Sequence, residues 1–201
     1  MDGKGVMHRG VVLPGLVVFA VLAYGSAIAA PARPLASIPP HVIAVAKALR
    51  AHSITNLPPE FRREGPAFVR RLSDGFDVNF AILERKPGPL DVILDYIISA
   101  TPSSARAAFR GGLHGRPGAR PTATFKPYSA FLDYERYSPS SPSYKPCTPP
   151  NCRTTSAVVL VGNVIVSANA GLGTHGGSAT EAIKLTKAGI QHLLKVERGV
   201  G

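Results

Sequence analysis

"SAVVLVGNVIVSANAGLGTHGGSATEAIKL", residues 156–185, carries three local signals in succession, and together they place the chain among the α+β proteins. Two apolar runs rich in valine and isoleucine flank Gly162-Asn163. The Gly-first order suits a type II′ turn, so the spacing predicts a β-hairpin, with a single bent strand as the alternative. Ser178 and Glu181 then form a capping box: the Ser178 hydroxyl accepts from the N–H of Glu181, and the Glu181 carboxylate reaches back to the N–H of Ser178. The helix that follows sets Ala182, Ile183, Thr186, Ile190, Leu193 and Leu194 on one stripe and closes on Lys195, Arg198 and Gly199. Gly189 inside it costs about 1 kcal/mol relative to alanine, which marks a close packing contact.

Between hairpin and helix, Gly171, Gly173 and Gly176 have G-x-G-x-x-G spacing. A dinucleotide site also needs a second parallel strand after the helix, and none is expected before Gly201. The P-loop form lacks its Gly-Lys-Ser/Thr. These glycines read as a turn that brings strand and helix close, with a weaker candidate role in holding a small anion: Gly173, His175, Gly176, Gly177 and Ser178 at the helix start.

Working back along the chain, residues 38–100 alternate apolar and charged positions and read as the other part of a shared core. Val42, Val45, Ala46 and Leu49 predict a helix over 40–52, with Pro39 and Pro40 at its tolerant start. Phe61, Phe68, Val69 and Leu72 are expected as buried anchors on two short helices separated by Gly65-Pro66. Phe76, Val78, Phe80 and Ile82 alternate as a half-buried strand. In "LDVILDYIISA", Leu90, Ile93, Leu94, Ile97 and Ile98 fall at helical spacing and predict a core-facing helix; its β-branched content keeps a buried strand open as the competing reading.

Residues 101–155 differ in composition. They hold eight cations against Asp133 and Glu135, and many of the chain's prolines and tyrosines. So few aliphatic residues predict a disordered, exposed insertion. Its Arg106, Arg110, Arg116, Arg120, Lys126, Arg136 and Lys145, interleaved with aromatic rings, are the candidate polyanion-binding residues. An exposed linker kept soluble by its charge is the plainer reading. Cys147 and Cys152, in "PCTPPNC", are expected to close a local disulfide; C-x4-C is not the spacing of a zinc or thioredoxin-like site.

The N-terminus sets the compartment. Residues 1–29 carry Lys4 and Arg9, then "VVLPGLVVFAVLAYG", then small residues, the layout of a cleaved signal peptide. The cut is expected at Ala29 or Ala30, leaving 30–37 as a short leader linker. The apolar part is too short for a bilayer-spanning helix, so no stable membrane span is expected after cleavage. The chain as a whole has a formal charge of +11. Outside the cell such a charge meets sulfated glycans and acidic proteins, and no nucleic-acid-binding motif is found.

No catalytic motif emerges. There is no H-E-x-x-H and no G-x-S-x-G, and His41 and His52 stand too far apart on one helix to share a metal. Asp91 and Asp95, four apart, are expected on the solvated side of a helix. Neither cofactor nor metal is implied. The expectation is a secreted, non-enzymatic protein of extracellular interaction or matrix association. Its rivals are a peptide precursor cut at Arg62-Arg63 and Arg70-Arg71, and a small hydrolase without a recognisable motif.

Overall fold

Alternate residues of the stretch 91–99 point to opposite sides: Val92, Leu94, Tyr96 and Ile98 are fully buried, while Ile93, Asp95 and Ile97 are half-buried. This is a strand. In the computed structural model, which describes residues 38–84, 91–136, 153–171 and 178–200, it is the third of seven strands. The elements in chain order are α1 (Pro40–Ala51), β1 (Phe61–Leu72), β2 (Gly75–Glu84), β3 (Asp91–Ser99), α2 (Pro102–Gly115), β4 (Arg120–Pro121), β5 (Ser129–Arg136), β6 (Arg153–Val161), β7 (Val164–Ala170) and α3 (Ala179–Val200). The strands form one antiparallel sheet in the order β1-β2-β3-β7-β6-β5-β4.

The helix predicted over 90–100 is therefore corrected to β3. Covered on both faces, a central strand carries apolar residues on both, and a continuous apolar run contains helical spacings by default. Its β-branched residues favour the extended form.

The two short helices expected around Gly65-Pro66 are likewise a single strand, β1, at the sheet edge. Its register with β2 shifts between Glu64 and Phe68, with Gly65 at φ +65°. An edge strand accommodates proline at such a bulge, where no ladder hydrogen bond is lost. Phe61 is 2% exposed and holds its predicted place, but Phe68 stands out at 60%.

The α+β class is what the sequence predicted, and so is the hairpin. β6 and β7 join at Gly162-Asn163, with Gly162 at φ +59° and Asn163 not in the positive region, as a type II′ turn requires. The capping box is formed: the Ser178 N–H donates to Glu181 Oε2 at 2.9 Å, and the Glu181 N–H to Ser178 Oγ at 3.2 Å. α1 lies over 40–51, as read.

α1 and α3 pack on one face of the sheet, where residues from β1, β2, β3, β6 and β7 meet Val42, Leu49, Leu185 and Leu193 in one core. That joins 38–100 to the C-terminal region through the β3–β7 ladder, the shared core that was expected. At Gly189 an added Cβ would sit 2.8 Å from Leu94 Cδ1 and 3.0 Å from Val166 Cγ1. The glycine lets α3 approach the sheet.

Residues 101–136 are not a disordered insertion. Thr101 caps α2, its side chain accepting from the N–H of Ser104 at 3.1 Å, and Pro102 opens the helix. On the other face of the sheet, Phe109 packs at a ring distance of 5.2 Å on Phe131 of β5, with Ala119, Val158 and Ile165 completing a second cluster. The segment is poor in aliphatic residues, but its apolar side chains serve both faces: Phe109, Ala119 and Phe131 join the second cluster, and Phe125 and Ala130 the main core. β6 supplies a ready edge for β5 to pair with. Residues 137–152, including Cys147, Cys152 and Lys145, lie outside the described residues.

Candidate anion-binding site

On α1, Ile43, Ala46, Lys47 and Arg50 recur at helical spacing and form one stripe. The stripe faces the β1–β2 hairpin, and with Val69 of β1 and Phe76 of β2 it lines an open cleft of about 100 Å³. The four apolar side chains make the floor, while Lys47 and Arg50 are exposed at the rim. Neither cation has an ion-pair or hydrogen-bond partner among the described residues. Arg71 lies 6.0 Å from the Phe76 ring centre, and Arg63 stacks at 4.7 Å over Phe80 while donating to the Gly65 carbonyl at 2.9 Å. Arg62 is exposed on the other face of β1, where Arg70 pairs with Asp77 at 3.0 Å.

The described basic residues singled out from the sequence lie on α2, β4, their flanking segments and β5. Arg106 and Arg110 stand one turn apart on the exposed side of α2, the former donating to Ser103 Oγ at 3.2 Å. Arg116 is paired with the buried Asp133 at 2.8 Å. Arg120 donates to the carbonyls of Pro117 and Ala119, at 2.9 and 2.8 Å. Lys126 is exposed beyond β4, and Arg136 ends β5. Arg62-Arg63 and Arg70-Arg71, candidate processing pairs by sequence, both lie within the β1 ladder. Lys47 and Arg50 went unremarked; the i, i+3 spacing of two cations beside the apolar stripe of α1 was the available signal.

A second polar feature occupies the half of the opposite sheet face that leads away from the Phe109–Phe131 cluster. Ser156 Oγ donates to Asn169 Oδ1 at 2.6 Å, and Asn169 Nδ2 donates to Asp95 Oδ2 at 2.9 Å. Burial, reinforced by the charge of Asp77, pushes the Asp95 carboxyl up to about 8, against the opposing Asn169 hydrogen bond and Arg70 charge. Burial also raises Asp77. Asp95 was expected on a solvated helix edge; it sits half-buried in mid-sheet because β3 is a strand. The row holds a carboxylic acid but no activated nucleophile, since the Ser156 hydroxyl is held by an amide oxygen that takes no proton.

Of the glycine-loop candidates, Gly173, His175, Gly176 and Gly177 lie outside the described residues, as do Ala29 and Ala30 of the cleavage site. Ser178 is described, and both its N–H and its hydroxyl contact Glu181, whose carboxylate takes the place of an external anion there. Among the described residues no group of three His, Cys, Asp or Glu side chains is placed to hold a metal ion, and no helix is long and apolar enough to cross a membrane. No protein-family model, curated protein or solved structure matches the chain.

Proposed function

We propose that the protein is a secreted, non-enzymatic binder of acidic extracellular partners, a sulfated glycan or an acidic protein, and that it meets them through α1 and the open edge of β1. One observation carries this reading. Lys47 and Arg50 of α1 and Arg71 of β1 are exposed on the same side of the sheet, and the two elements contain one carboxylate, Glu64. Cations gathered on one side of a fold raise the local potential for a polyanion and speed its capture, an effect that weakens as salt screens it. This moves the expected binding surface from residues 101–155 to the opposite end of the sheet.

The test is retention on immobilised heparin across a salt gradient. The triple variant Lys47→Glu, Arg50→Glu, Arg71→Glu is expected to elute at markedly lower salt than the native chain, and Arg106→Glu with Arg110→Glu close to it. Equal elution of the triple variant and the native chain would refute the assignment. Deleting 101–155 is no substitute, because it would remove α2, β4 and β5 from the fold.

A further inference from the structure

The cleft beside Lys47 and Arg50 has an apolar floor that contact with a polyanion alone does not require. We propose that it binds a small organic carboxylate: a phenyl ring or a compact branched chain resting on Ile43, Ala46, Val69 and Phe76, with the carboxylate held by Lys47 and Arg50. The proposal rests on the reading of these two cations as anion-facing and adds the apolar half of the ligand. Size supports it, because a closed cavity of about 150 Å³ holds benzene, and an open one of about 100 Å³ takes most of such a ring with one edge outside. Chemistry supports it too. Two cations three residues apart on a helix are neighbours at about 5–6 Å, close enough to share one carboxylate, and the planar guanidinium of Arg50 matches that group in two parallel hydrogen bonds. Apolar side chains on one side of the cleft and exposed cations on the other suit an amphiphile with its charge at one end. No carboxylate lines the cleft to compete.

The experiment is a methyl and amide NMR titration of the full mature chain with benzoate, and with benzamide and acetate as probes lacking the charge or the ring. Benzoate is expected to shift the Ile43, Ala46 and Val69 signals along a saturating curve in the millimolar range, with the other two probes at least about ten-fold weaker, a difference of about 1.4 kcal/mol. Val69→Phe fills the floor at a half-buried edge position and leaves both cations in place. It should abolish the benzoate shifts and leave heparin retention unchanged. Benzamide binding as tightly as benzoate would overturn the proposal by showing an apolar site without anion recognition. Acetate binding equally would overturn it by showing a cation pair without a floor, and unmoved cleft signals would do so directly. Loss of these shifts with salt-sensitive heparin retention intact leaves the broader function standing; saturable benzoate binding without heparin retention removes the broader function and keeps the site.

Discussion

Burial of Asp95 and of His192 has opposite consequences for pH. The Asp95 carboxyl titrates near 8 when folded and near its ordinary 3.8 when unfolded. Between those values the folded protein holds a proton the unfolded chain has lost, so Asp95 subtracts stability as pH rises, by at most about 1.4 kcal/mol per pH unit. His192 works the other way. It sits under the sheet with its Nδ1 3.0 Å from the Tyr96 hydroxyl, its ring edge-on to those of Phe80 and Tyr96, and its Nε2 without a hydrogen-bond partner among the described residues. Burial lowers it to about 4, helped by the charges of His52, Arg63 and Lys195 and opposed by the His52 backbone. Its contribution therefore grows from pH 4 to 6.5 and is complete above that. The two slopes oppose each other in the acid range, and only that of Asp95 continues to about 8. Thermal melts from pH 6.5 to 8 should show Tm of the native chain falling relative to Asp95→Asn; parallel curves would mean that Asp95 ionises normally in the fold. Gly189 offers a second test at this scale. Gly189→Ala gains about 1 kcal/mol of helix propensity but drives a methyl into Leu94 and Val166, an overpacking that costs about 1–3 kcal/mol. The expected result is a net loss of about 1 kcal/mol in the denaturant midpoint, and a gain would show that α3 has room to move outward.

For whole elements, legibility in the sequence followed the number of faces each one buries. α1, β2, the β6–β7 hairpin and α3 each carry a local signal, either a one-sided apolar pattern or a fixed turn or cap chemistry, and each was read correctly. β3 is covered on both sides and lost its period. β1 was misread for a different reason: its glycine and proline break a helix but in an edge strand make only a bulge, and its arginines are what an edge presents to solvent to discourage a second chain from pairing. The candidate site was illegible for the same reason, since Lys47 and Arg50 gain meaning only when β1 is a strand lying beside α1. The cap of α3 is a local device and can be tested locally. Ser178→Ala removes the acceptor for the Glu181 N–H and should cost about 1 kcal/mol in chemical denaturation, with faster amide exchange confined to the first turn of α3. A loss spread over the whole helix would mean that the cap also fixes how α3 docks.

The whole molecule depends on pairings between segments far apart in sequence. β3 finds its second neighbour in β7 only after the chain has made α2, β4, β5 and β6, so the two parts of the main core are joined by a ladder whose partners lie some seventy residues apart, as Asp95 and Ser167 do. Composition led to the expectation that the intervening segment hangs outside this core. In the fold it supplies β5, which covers the edge of β6, and α2, which covers the face that would otherwise expose Ile97, Val158 and Ile165. Removing it bares an apolar sheet face and a nine-residue edge together. A chain in which residues 101–152 are replaced by a short glycine-serine linker should accordingly lose the single cooperative unfolding transition expected of the native protein and associate through the bared surface. Far-UV and near-UV circular dichroism melts, read beside light scattering, check this. If the shortened chain still melts in one coincident transition and stays monomeric, then β1, β2, β3, β7 and β6 with α1 and α3 form a self-sufficient core, and the second cluster contributes its stability separately rather than as part of one cooperative unit.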